Sequence, residues 1–291
     1  MISLKHLFTL WAGSILSLGG IWAQPNTDIY LLKAQQMDSV SWTFSEARNL
    51  TPRQGYDNQP SFTPDGQSLL FVSIDDQAQA DVYRYSLTRG STERLTDTRR
   101  SEYSPKVSPK GDGFAAVVVE EDSAQRLWFF EWGDRKGQVL LDKLPGIGYY
   151  AFYHKKKIAA FYLGEPQTLD LIHLRKQRPS TLIDSVGRCL QTIPNTKNQF
   201  SYVDLSQASP EIGQYDAKKK VGQKLAPCLE GSEDYAWTAD GRLIMAQEGK
   251  LYLFDPVHGE EWKLLQDLEL GPISRLALSP DGKHLAVVVQ K

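Results

Sequence analysis

The residues able to do chemistry are few and far apart. Asp57, Glu102 and Asp234 are carboxylates that fall near one end of a repeated pattern. Two carboxyls flanking a glycosidic bond suffice as acid and base for sugar cleavage, so a pair of these would fit a carbohydrate-active enzyme. Asp57 and Asp234 with backbone carbonyls would equally suit a hard cation. Of the histidines, His6 lies in an N-terminal apolar stretch, and His154, His173, His258 and His284 fall in separate repeats without a second ligand at zinc spacing. Cys189 and Cys228 lack that spacing too, and their pairing as a disulfide is left open. No Gly-x-Ser-x-Gly elbow, phosphate loop or dinucleotide motif occurs. The expectation is a protein that is not an enzyme, with no catalytic residue, no metal and no cofactor.

The elements that would carry these residues emerge from self-similarity. Ser61-Phe62-Thr63-Pro64-Asp65-Gly66 precedes the apolar run from Leu69 to Val72, and Ala277-Leu278-Ser279-Pro280-Asp281-Gly282 precedes the run from Leu285 to Val289. Each reads as strand, tight turn, strand: Pro fixes φ, Asp bonds locally and Gly accepts a positive φ. Looser copies centre on Val107, Phe152, Ile193 and Trp237. The markers 62, 107, 152, 193, 237 and 278 are 41 to 45 residues apart, the period of a propeller blade of four strands. The second strands are almost wholly apolar, as sheets buried on both faces require.

The sixth unit stops after its second strand. Its missing pair matches the other end of the chain: Asp28 to Leu32 reads as a third strand, and Ala47 to Thr51 resembles the fourth-strand run Thr92-Glu93-Arg94-Leu95-Thr96. The fold class expected is therefore all-β, a six-bladed β-propeller whose N-terminal strands complete the last blade. Asn49-Leu50-Thr51, Pro60-Ser61-Phe62-Thr63-Pro64-Asp65-Gly66 and Asp81-Val82-Tyr83 resemble the TolB-type propeller repeat over residues 27–291. That resemblance implies a propeller of the cell envelope that binds other proteins or ligands, with no chemistry of its own. Thr63 and Ala239 depart from the usual Ser and Pro of the pattern.

Residues 1–23 read as a signal peptide, with Lys5 and His6 before an apolar run from Leu7 to Leu18 and a cut near Ala23. Residues 24–291 are then one propeller domain, periplasmic or secreted. The run is shorter than a spanning helix, so no stable membrane insertion is expected. The net charge of −2 gives no pull toward nucleic acid. A protein or peptide partner is expected, bound by a monomer. Contact candidates come from segments that lead into the blades: Tyr56, Asp57, Glu102, Tyr103, Tyr149, Arg188, Asp234 and Tyr235. Their end of the ring reads as acidic and Tyr-rich, suited to a cationic partner, whereas the turn end reads as basic through segments such as Lys155-Lys156-Lys157 and Lys218-Lys219-Lys220.

Overall fold

The computed structural model describes residues 25–38, 40–74, 78–259 and 261–291. The expected signal peptide, and Asp75-Asp76 of the end that reads as acidic, lie outside these. The described residues form six four-stranded antiparallel sheets arranged in a ring, a six-bladed propeller, with no helix among them. None of them forms a helix long and apolar enough to cross a membrane.

In each blade the first strand lines the central channel. These inner strands are Asp57–Phe62, Ser101–Val107, Ile147–His154, Val186–Thr192, Tyr235–Trp237 and Ile273–Leu278, in blades 1 to 6. The second strands follow them: Ser68–Ile74, Gly113–Val119, Lys157–Tyr162, Gln199–Asp204, Leu243–Gln247 and His284–Gln290. Their residues are buried almost throughout, because each strand meets a neighbouring blade on either face. Clusters of apolar side chains therefore join blades rather than fill them. Ala115, Val117 and Leu127 of blade 2 pack with Tyr150, Ile158 and Ala160 of blade 3. Buried Tyr150 adds a directional tie, donating its hydroxyl to the Ala115 carbonyl at 2.6 Å. Tyr235 of blade 5 does the same toward Ser201 Oγ of blade 4, at 2.8 Å.

The turns after the inner strands are built as the sequence suggests, with one added device. The hydroxyl of Thr63 donates to Asp65 Oδ1 and accepts from the Ser68 backbone N–H. Thr238 and Ser279 repeat this with Asp240 and Asp281. The hydroxyl thus closes the turn from within, so Thr replaces Ser without loss.

Ring closure follows the predicted route. Strand Thr27–Gln36 pairs with His284–Gln290 without a break, from Thr27 opposite Gln290 to Lys33 opposite His284, and Trp42–Asn49 pairs on its outer side. The seam to blade 1 is apolar, with Ile29, Ala286 and Val288 against Leu69 and Phe71. Polar stitches reinforce it. Lys291 Nζ lies 2.7 Å from Asp28 Oδ1 and donates to the Arg53 carbonyl. Thr27 Oγ1 donates to the Asp57 carbonyl. Removing residues 25–51 strips two strands from blade 6 and bares an apolar edge. The truncated protein should aggregate or lose its cooperative melt, read by size-exclusion chromatography and thermal denaturation. A monomer of unchanged stability would show that closure does not hold the ring.

Candidate functional site

The inner strands are not regular. Pairing to the second strand slips between Asn58 and Ser61, Tyr103 and Lys106, Ile147 and Tyr149, Val186 and Leu190, and Ile273 and Arg275. A bulge re-aims the side chains around it and is common beside binding sites. Gln59 and Ser104 sit in these bulges at φ 58° and 53°, each followed by proline, which cannot donate to the ladder. The Ser104 backbone N–H donates to Gln59 Oε1 at 2.6 Å, tying the two bulges together.

Four side chains from four blades form a polar layer across the channel. Arg188 donates through Nε and Nη2 to Asp234 Oδ2 at 2.9 and 2.6 Å, and through Nη2 to the Ser274 carbonyl. Arg275 Nη1 lies 3.7 Å from Asp234 Oδ1. Its Nη2 donates to Tyr149 Oη at 3.0 Å, and its guanidinium sits 5.2 Å from the centre of that ring. Blades 3 and 6 face each other in a six-bladed ring, so the Arg275–Tyr149 contact spans the opening. Burial works against the Arg275 charge, but Tyr149 and Asp234 outweigh it and hold its pKa above the ordinary value.

A cavity of about 540 Å³ runs from this layer toward the exposed turns at Asn195, Ala239 and Pro280, a size typical of ligand sites. Lys106 of blade 2 also lines it and reaches across to donate to the Leu190 carbonyl of blade 4 at 3.1 Å. Burial depresses the Lys106 pKa. The ionisable side chains of the cavity wall are thus Lys106, Arg188 and Arg275 against Asp234, with Tyr149, Tyr150 and the Cys189 thiol beside them. Cys189 and Cys228 are both free thiols, each pushed up to about 12 by burial. Among the described residues no cluster of His, Cys, Asp and Glu could hold a metal ion.

Of the residues singled out in the sequence, Tyr149, Arg188 and Asp234 meet in this layer. Tyr56 and Tyr103 are half-buried and pack on Val72, Ile74 and Ala80. Asp57 and Glu102, at equivalent points of blades 1 and 2, are 0% exposed. Asp57 pairs with Arg53 at 3.0 Å, and Glu102 accepts from the Thr98 hydroxyl. Tyr235 is equally buried. The cavity wall is therefore cationic in balance, because Asp57 and Glu102 are buried within their blades and Asp234 is held by two arginines, while acidic loop residues such as Glu121, Asp122 and Glu165 stay exposed at the other end. Lys106, just past a Ser-Pro bulge signal, was missed, and Arg275, although it belongs to the leading segment Ser274-Arg275, was not among the contact candidates.

No family model matches the chain. It is 29% identical over 92 residues to an uncharacterised peptidase of Bacillus subtilis, a stretch that is 32% of this chain and 13% of that protein's length. Among solved structures, one assigned as TolB from Agrobacterium tumefaciens superposes with a TM-score of 0.69 at 14% identity, covering 92% of this chain and 99% of that one. TolB from Acinetobacter baumannii gives 0.59 at 13% identity, over 90% and 63%. The fold is a TolB-like six-bladed propeller. The expectation that the chain is not an enzyme needs correction. A protein assigned as gluconolactonase (TM-score 0.62, 11% identity, 89% and 98% covered) and an oligogalacturonate lyase in complex with manganese (0.51, 14%, 92% and 98%) share the architecture. Proteins named for chemistry thus share this fold, so the fold gives no ground for excluding catalysis.

Buried Glu102 carries a testable electrostatic consequence. Burial raises its pKa to about 7, above the unfolded value. Its favourable contribution is complete below the unfolded pKa of about 4.3 and is lost as pH rises through 7. Wild type should be less stable at pH 8 than at pH 5 by roughly 2–3 kcal/mol from this group, and Glu102→Gln should abolish most of that difference. Denaturant melts of both proteins at the two pH values decide it; an equal pH dependence would refute the assignment.

Proposed function

We propose that this chain is an exported recognition propeller that takes an acidic segment of a protein or peptide partner into its channel. The observation that carries the reading is the convergence of Lys106, Arg188 and Arg275 on one cavity against the single carboxylate Asp234. Arginine meets carboxylates with paired donors, and here the guanidinium planes are already fixed by Asp234 and Tyr149, so little side-chain freedom is lost on binding. An incoming carboxylate would sit beneath the Arg275–Tyr149 contact and draw on the donors of Arg275 and the Lys106 amine. The resemblance to TolB structures agrees with a partner-binding role, and the apolar run at Leu7–Leu18 agrees with export.

A second reading is favoured by the aromatic walls of the same cavity. Tyr149 and Trp237 line it beside the cations, a combination suited to an acidic saccharide such as a uronate oligomer. The oligogalacturonate lyase of the same fold has such a substrate in its name.

Binding of a fluorescein-labelled tetraglutamate tests the first reading. Lys106→Met and Arg275→Met should each weaken it about tenfold or more, the loss of a charge-assisted contact. Arg135→Met, on an exposed outer turn of blade 2, should leave binding unchanged. Retained binding in both channel variants would overturn the site. Oligogalacturonides bound or turned over while the peptide is ignored would replace the first reading with the second.

A further inference from the structure

The propeller's turn end carries a charge asymmetry that the channel does not account for. Each blade presents two turns there, an inner one between first and second strands and an outer one between third and fourth. In blade 3 these hold Lys155-Lys156 and Arg175-Lys176, and in blade 4 Lys197 and Lys218-Lys219-Lys220, all exposed. In blade 5 the corresponding turns hold Asp240 and Asp255, and in blade 6 Asp281 and Asp38. One sector is therefore cationic and the next one round the ring acidic, on the face toward which the cavity runs.

The acidic sector neutralises itself in part, since Arg242 pairs with both Asp240 and Asp255 at 3.3 and 3.7 Å. The cationic sector does not. Its one acidic neighbour, Asp216, accepts the backbone N–H groups of Lys218 and Lys219 at 2.9 Å each and so serves the turn itself. The single ion pair recorded there, among the described residues, is Lys219 to Asp216 at 4.0 Å, with Lys219 76% exposed. Like charges crowded on adjacent turns repel one another, so a polyanion laid across them is attracted by the whole set.

Geometry joins this sector to the channel. The inner turns border the cavity: Asn195 and Thr196, which line it, sit in the same turn as Lys197. The outer turns stand two to three strand spacings farther out, about 10–15 Å. An extended peptide covers that distance with roughly four residues, at about 3.3 Å each.

We infer that the cationic turns of blades 3 and 4 form a second contact for the same acidic partner, a track that steers an extended acidic segment toward the channel and holds the part remaining outside it. This rests on the channel reading above and extends it: the partner's acidic stretch must be longer than the cavity can hold. Acidic protein is favoured over an anionic lipid surface because the track leads into a cavity already built from carboxylate-binding groups.

The test compares labelled tetraglutamate with dodecaglutamate. Wild type should bind the longer peptide at least about tenfold more tightly at ~20 mM salt, and the advantage should shrink by ~500 mM, where exposed charges are screened. Lys218→Glu/Lys219→Glu/Lys220→Glu should erase the advantage while leaving tetraglutamate affinity unchanged. Arg175→Glu/Lys176→Glu provides an independent variant on another turn. Equal affinity of the two peptides for wild type, or an advantage that survives both charge reversals, would overturn the track while leaving the channel site standing. Failure of both peptides to bind would instead remove the channel reading and the track with it. Vesicles of anionic phospholipid captured by wild type and lost in the variants, without any effect of peptide length, would also overturn the inference in favour of a lipid surface.

Discussion

Everything in this molecule depends on a sheet that cannot stand alone. Each second strand is apolar on both faces, so every blade needs a neighbour on either side. Six blades satisfy this only if the last meets the first, and the chain achieves it by splitting one blade between its two ends. The unbroken register from Thr27 to Lys33 against the C-terminal strand makes that seam a full ladder, while Ile29 and Val288 against Leu69 and Phe71 make it a packed interface like the others.

A closed ring fixes the inner strands around a common axis and brings side chains from opposite blades within bonding distance. Arg275 reaches Tyr149 across the opening, and Lys106 reaches the blade 4 backbone past blade 3. Neither contact is local in sequence. The bulges refine the arrangement, turning Gln59 and Arg188 out of regular alternation, so that Gln59 reaches Ser104 of blade 2 and Arg188 reaches Asp234 of blade 5. A rigid frame and locally irregular inner strands are complementary: the frame supplies position and the bulges supply aim.

Charge follows the same division. Asp57 and Glu102 serve the interior of blades 1 and 2, whereas Asp234, in the corresponding segment of blade 5, faces the channel and is held by two arginines. The same residue type at a repeated position thus serves folding in one blade and the site in another. What distinguishes them is the local partner, Arg53 or Thr98 in the first case and arginines of other blades in the second.

By itself the sequence determined the architecture. The period of the strand–turn–strand marker, the Asp-Gly turns with their closing hydroxyl and the apolar second strands are local or periodic signals, and the split blade followed from comparing the two ends. These depend on backbone geometry and burial, which short segments encode. The site was legible only in part: Tyr149, Arg188 and Asp234 could be picked out as leading-segment residues, but nothing local told them from Asp57, Glu102 or Tyr235, which the fold buries. Lys106 and Arg275, and with them the cationic sign of the channel, were decided by tertiary structure. The physical reason is that a side chain's direction in an irregular strand depends on the bulge, and its electrostatic role depends on partners from blades that only ring closure brings near.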